Sequence, residues 1–374
     1  ASGSERSLNA ARENYNLYEK RAETTATPFL YTVFGTIRSG NYEADLDAYT
    51  ALSLAVFVAC VLLLGRWLSL GATASFAAVA LLGLGLFAMW QELWVRNVNL
   101  VQLGMLTAAV ALRRMRRART GSLLAGVVLG LGVMLKPNLA PAAGILALSL
   151  LGRRRLAELA WLAGGGAAGA GAAFAWSSIY FRGASVWVAW SDMMFRWLPT
   201  AYRTWSHNYA PSAAFNRWFG WDLSFWPLVV TGGAAALAVL LAPRGSPAAG
   251  PAGRRAAFEQ DLLALGIGVA VSLLGPSLAW PHYYVLLIPL CLYALRPAGA
   301  GRAWPAWRPA WTHVVGAAAL IGMLNWGRVL RPPLSWAVAT VGHMGAAALL
   351  YALAMWGYVR AGRGAPSPAA EAGP

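Results

Sequence analysis

The chain has 374 residues, 58% of them hydrophobic and only 12% charged, with 19 tryptophans and a formal net charge of +16. A mean hydropathy of +0.51 excludes an ordinary soluble domain and points to an all-α polytopic membrane protein. The positive charge is nearly all arginine in short runs between apolar segments, which excludes a nucleic-acid-binding face with basic and aromatic residues interleaved.

Residues 1–45 precede the first long apolar run and hold Glu5, Glu13, Glu19, Glu23, Glu43 and Asp45, with Asp47 just beyond. A carboxylate there can act as general base toward a hydroxyl, with Glu5, Asp45 and Asp47 as candidates and solvation as the plainer alternative. The segment reads as a loop outside the cytoplasm with a re-entrant element. The sequence opens on Ala1 with no signal peptide or apolar first segment, so a helix upstream is expected.

Apolar runs near 46–65, 71–90, 96–112, 121–135, 138–151, 157–180, 224–242, 260–276, 279–296, 309–325 and 334–358 give about eleven expected spans. Together they form a membrane domain over 46–358, followed by a disordered cytoplasmic tail at 359–374. The pair at 121–135 and 138–151 is shorter than the ~20 residues of a straight span and also fits a broken or re-entrant hairpin. With eleven crossings, arginine clusters at 113–119, 153–155, 244–255, 296–308 and 360–363 fall on one side, which the positive-inside rule makes cytoplasmic. The opposite face then carries 96–99, 136–138, a long 181–223 loop, 276–282 and 325–333, where most polar groups gather.

Along that face, Arg96-Asn97-Val98-Asn99-Leu100-Val101-Gln102 opens a span. Asn99 and Gln102 share a helical side, suited either to polyhydroxyl or phosphate ligands or to holding helices together. Lys136, one of two lysines in the chain, sits in an apolar run before the helix-breaking Pro137. An ammonium at membrane depth costs at least a few kcal/mol and usually marks a site, the alternative being a snorkelling side chain. The glycine-rich stretch at 163–173 is apolar throughout and reads as close helix packing. The 181–223 loop offers Arg182, Asp192, Arg196, Arg203, His207, Asn208, Ser212, Asn216 and Arg217 among aromatics, for phosphate and sugar or prenyl contacts, or as an interfacial helix. Pro276–Tyr284 breaks two apolar runs and sets His282 and Trp280 at the boundary. Cys60 and Cys291 lie in apolar segments and suggest no disulfide or metal site.

Taken in order, these stretches resemble glycosyltransferase family 87, whose members use a polyprenyl-phosphate mannose donor and have the GT-C fold. Asn97-Val98-Asn99 matches the end of the family's G-Q-x-N opening, with Arg96 and Asn97 in place of Gly and Gln. The basic loop followed by Leu135-Lys136-Pro137 matches well, and Asn208, Ser212 and Arg217 loosely echo an Asn…Ser…Arg element. The best match is the family's S-P-x-S-W-x-H-x-Y-x-x-x-L-x-P stretch, here Gly275 to Pro289 with Trp280 and His282 in register. Near the start, Tyr15–Glu19, including Tyr18, and Thr27–Leu30 look like two further family elements, so the resemblance extends over about 15–296. The family's catalytic Asp lies upstream of those elements, whereas no Asp precedes Asp45 here. Either the sequence begins after that Asp, or Glu5 stands in, or the chain is a non-catalytic relative.

What the resemblance implies is an inverting sugar transfer, of mannose, from a polyprenyl-phosphate donor to a lipid or glycan acceptor on the outer face of a bacterial cytoplasmic membrane. Lys136, His282 and Arg217 would stabilise the phosphate leaving group, with Trp280, Asn99, Gln102, Asn208 and Tyr18 as further substrate contacts. The lipid-linked sugar is a co-substrate; no cofactor, metal or nucleic acid is expected, and membrane lipids are the remaining partner. A secondary transporter would also fit a broken helix and an intramembrane lysine.

Overall fold

The computed structural model describes residues 26–197, 207–242, 251–296, 311–326, 330–331 and 334–362. These residues are helical; no strand occurs among them, and the one strand-like pairing is an isolated bridge between Leu86 and Leu324. Helix α1 (Pro28–Ile37) lies within the segment read as an N-terminal loop; Pro28 starts it, and the Thr27 hydroxyl accepts from the Leu30 N–H at 3.1 Å. Helix α2 (Tyr42–Trp67) is capped by Asn41 and carries Glu43 and Asp45 in its first turn, where the helix dipole favours them.

Next come α3 (Ala72–Ala80), which widens into a π turn at Leu81–Gly85, then α4 (Phe87–Val95) and α5 (Asn99–Arg113). The last two are bent by 114° at Arg96–Val98, with Arg96 in the left-handed conformation. Helix α6 (Ala118–Leu135) ends at an extended Lys136, and a 3-10 turn at Pro137–Leu139 leads into α7 (Ala140–Gly152). Helix α8 (Leu156–Tyr180) follows, then α9 (Ser185–Asp192), α10 (Pro211–Phe219) and α11 (Trp226–Leu241). The chain closes with α12 (Pro251–Leu274), a 3-10 segment at Pro281–Leu287, α13 (Ile288–Leu295), α14 (Trp311–Gly322) and α15 (Leu334–Gly362).

Four of these are long and apolar enough to cross a membrane: α2, α6, the Gly253–Leu274 part of α12, and α15. The bent pair α4–α5 makes a fifth if taken as one span. Most of the other expected spans are shorter apolar helices, among them Ala72–Gly85, Pro137–Gly152, Trp226–Leu241, Pro281–Leu295 and Trp311–Gly322. Helix breaks are what shorten several of them: at Leu86, at Lys136–Pro137 and at the 3-10 entry from Pro281. Helix α15 runs to Gly362, into the segment read as a tail; the rest of that tail lies outside the described residues.

Helix α12 is the axis of the bundle, with 89% of its most apolar stretch buried, packed against α7 and α15. Glycine sets the closest approaches. A Cβ on Gly126 or Gly130 of α6 would overlap the Leu162 or Gly166 carbonyl of α8. In return, Gly165 and Gly169 meet the Leu123 and Val127 carbonyls. The glycine-rich stretch is therefore a helix-packing surface, as its apolar composition indicated.

The two ends of the bundle differ in chemistry. At one, Arg113 bonds Asp261 (3.0 Å), Glu158 (2.6 Å) and the Ser122 hydroxyl, Arg153 pairs with Asp261, and Arg155 pairs with Glu158. Arg296 pairs with Glu259 at 2.7 Å. Reading these arginines only as loop charge needs correcting: Arg113, Arg153 and Arg296 are largely buried and neutralised by acids of other helices. The other end holds the breaks at Arg96–Val98, Lys136–Pro137 and Pro276–Pro281.

Candidate active site

The apolar run into Lys136 stops because Pro137 cannot continue it, and the extended Lys136 backbone turns its side chain toward the α4–α5 bend. The Lys136 residue is 5% exposed. Its ammonium donates to the Asn97 Oδ1 at 2.9 Å and the Asn99 Oδ1 at 3.2 Å, and lies 3.8 Å from the centre of the Tyr283 ring. The direct contacts of the buried amine are thus two amide oxygens and a ring face. The backbone below it is fixed from two sides: Gln102 Nε2 donates to the Lys136 carbonyl at 3.0 Å, and the Thr27 hydroxyl to the Leu135 carbonyl at 3.0 Å.

Asn97 joins this cation to the histidine. Its Oδ1 accepts from Lys136 and from the Val98 N–H, so its Nδ2 is the atom that faces the His282 Nε2 at 3.1 Å. A donor there makes Nε2 the acceptor and puts the ring proton on Nδ1. The imidazole is stacked nearly parallel to Trp280, with 7° between the planes, and Tyr283 meets it edge-on. The Tyr49 hydroxyl of α2 donates to the Asn97 carbonyl. Four separate stretches of chain therefore converge on Asn97 and Lys136.

Glu92 is the member that sequence reasoning missed. It is 1% exposed, and its carboxylate accepts from the Asn99 N–H (2.7 Å), the Asn99 Nδ2 (2.7 Å) and the Leu100 N–H (3.3 Å), capping α5 across the bend. An acid among apolar residues was the available signal, but Glu92 falls between the expected spans 71–90 and 96–112.

The other expected site residues fall in four groups. Asn99 and Gln102, both fully buried, belong to the cluster, as do His282 and Trp280. Asn208 holds the neighbouring loop: its Oδ1 accepts from the Ala279 and Ala210 N–H groups, and its Nδ2 donates to the Ser277 carbonyl at 2.8 Å. Arg217 donates to the Asn208 carbonyl at 3.4 Å, and burial lowers its guanidinium below the ordinary arginine value. Both therefore shape the stretch that leads to Trp280 and His282. Asp45 accepts from the Ser39 N–H at the start of α2, and Asp47 is exposed; among the described residues, no hydrogen bond ties either to the Lys136 cluster. Glu5 and Tyr18 lie outside the described residues.

Among the described residues, two buried acceptors near the cation, Gln102 Oε1 and Asn138 Oδ1, have no hydrogen-bond partner, although Asn138 Nδ2 reaches Asn99 at 3.4 Å. Among the described residues, no three His, Cys, Asp or Glu side chains come together to hold a metal ion. The cluster is thus a cation, a histidine and several amides, a set suited to anions and hydroxyls.

No curated protein and no solved structure matches the chain. The family model of glycosyltransferase family 87 matches residues 25–272. That span contains Glu92, Asn97, Asn99, Lys136, Asn208 and Arg217; it stops short of Trp280 and His282, where the motif resemblance is strongest by eye. With about two thirds of its length matched, and its polar cluster built largely from that part, the chain belongs to glycosyltransferase family 87.

Proposed function

We propose that the chain transfers mannose from a polyprenyl-phosphate donor to a lipid or glycan acceptor, with inversion at the sugar C1. The observation that carries this reading is the buried Lys136 ammonium, held by neutral amides and a ring face at a helix break. The acceptor oxygen attacks C1, its proton passes to a carboxylate, and the C1–O bond to phosphate breaks. The departing polyprenyl phosphate is an anion, and Lys136 with the Nδ1–H of His282 stabilises its charge as it develops. The unpaired acceptors Gln102 Oε1 and Asn138 Oδ1 suit sugar hydroxyls. Trp280 offers an aromatic face to the sugar or the prenyl chain. A monophosphate leaving group needs no metal, and the lipid-linked sugar is the only co-substrate.

The base is Glu5, Asp45, Asp47 or a carboxylate upstream of them. The arginine-rich end faces the cytoplasm, together with the C-terminus, and the Lys136 end opens to the outer face of a bacterial plasma membrane.

The test is transfer from radiolabelled polyprenyl-phosphate mannose by the full-length protein in detergent or nanodiscs. The parent transfers mannose, and Lys136→Ala and His282→Ala lose at least about a hundredfold while remaining folded. Absence of donor turnover by the folded parent overturns the proposal.

A further inference from the structure

Glu92 is buried, its charge lies close enough to act on Lys136, and its hydrogen bonds lead to the ammonium through Asn99. An asparagine amide has two ends, and here each has one assignment: Nδ2 is bound to the Glu92 Oε2, and Oδ1 accepts from Lys136 Nζ and Asn138 Nδ2. Both Glu92 oxygens are placed as acceptors, Oε1 of two backbone N–H groups and Oε2 of the Asn99 Nδ2, so turning the amide round sets its oxygen against a carboxylate oxygen and its NH2 against two donors. We infer that Glu92 is a positioning residue: it locks the Asn99 amide so that its oxygen holds the Lys136 ammonium in the anion-binding position. The role rests on the assignment of Lys136 as the cation that meets the donor phosphate.

The arrangement predicts a specific failure and a specific repair. In Glu92→Gln the new NH2 faces the Asn99 Nδ2, donor against donor. The Asn99 amide then reverses and presents its own NH2 to Lys136, which is displaced. In Asn99→Asp the second carboxylate lies against Glu92. In the double variant Glu92→Gln/Asn99→Asp, the Gln oxygen still accepts from the two backbone N–H groups, its NH2 donates to the Asp, and the other Asp oxygen faces Lys136. Each contact of the parent is remade, with the bond between positions 92 and 99 reversed in direction and the carboxylate moved from position 92 to position 99, onto Lys136.

The experiment measures farnesyl phosphate binding to the purified full-length protein in detergent, alongside the Nζ signals of 15N-lysine-labelled protein. With only two lysines in the chain, Lys136 is assigned by its absence in Lys136→Ala. Each single variant is expected to weaken binding roughly 10–100-fold and to shift the Lys136 signal. The double variant should bind more tightly than either single variant and return a single ordered Lys136 signal, displaced from the parent's by the carboxylate now beside it. Tight binding by Glu92→Gln with an unshifted Lys136 signal overturns the inference. So does a double variant no better than either single one, or one that fails to fold. If Glu92→Gln alone does not fold, the double variant carries the test. The Lys136 arm separates the two ideas: if Lys136→Ala binds farnesyl phosphate like the parent while the signal pattern holds, the phosphate role fails and the positioning of Lys136 by Glu92 stands.

Discussion

Asn97 holds Lys136 with one end of its amide and His282 with the other, so the two residues proposed to meet the donor phosphate are fixed relative to each other by one side chain. The histidine's use there is as an acceptor, which separates two substitutions. His282→Gln can present an oxygen to Asn97 Nδ2 and should retain a measurable fraction of donor binding. His282→Leu leaves a buried donor unpaired, at a cost of about 1–3 kcal/mol, and should weaken binding about ten- to a hundredfold more. Binding isotherms with farnesyl phosphate compare the two; equal losses would mean that acceptor capacity is irrelevant. Lys136 was legible in the sequence because a lone lysine in an apolar run has few bland explanations. Its controlling partner was not, because Glu92 falls between two expected spans, and only the 114° bend brings it back onto the start of α5. Asn208 has a use that its sequence setting does not show. A polar side chain in an aromatic loop reads as a ligand contact, yet its amide bonds three backbone groups around 208–279.

Helices α6 and α8 cross so closely that their glycines touch carbonyls, and a side chain at the crossing has nowhere to go. Gly130→Val should therefore force the pair apart and cost about 1–3 kcal/mol or more of stability. Gly164, on the same helix as Gly165 but facing open space, should accept alanine and gain about 0.5–1 kcal/mol. Thermal unfolding in detergent distinguishes them; similar behaviour of the two variants would mean that the contact does not determine stability. The glycine-rich half of this crossing could be read from 163–173. Its partner positions on α6 are spaced among valines and leucines and look like ordinary apolar sequence. Span length was the poorer guide: hydropathy sees apolar runs, whereas Leu86, Pro137 and Pro281 decide where a run stops being one helix.

Across the bundle the charged network at one end and the Lys136 cluster at the other are separate systems, and they should fail separately. Asp261 serves both Arg113 and Arg153, so Asp261→Ala leaves two buried guanidiniums short of a counter-charge and should cost about 3–5 kcal/mol. Donor affinity of the protein that still folds should stay within about twofold of the parent. A loss of affinity that outruns the loss of stability, seen by comparing binding with chemical unfolding, would join the two ends energetically. Composition and arginine spacing were enough to recognise a multi-helix membrane protein, but not to show that several of those arginines are internal. A charge in a turn and a charge folded back between helices leave the same trace in sequence.

The pairing of Arg113 with Asp261 also bears on how the protein is made. The two residues are separated by 148 positions. At about 5–20 residues per second, Asp261 is synthesised roughly 7–30 s after Arg113. During that interval Arg113 can pair only with Glu158, so the N-terminal helices emerge with one of its two acids still to come. The arrival of α12 brings the acid shared by Arg113 and Arg153 together with the helix that α7 and α15 pack against, so charge balance and packing of the bundle are completed by the same segment.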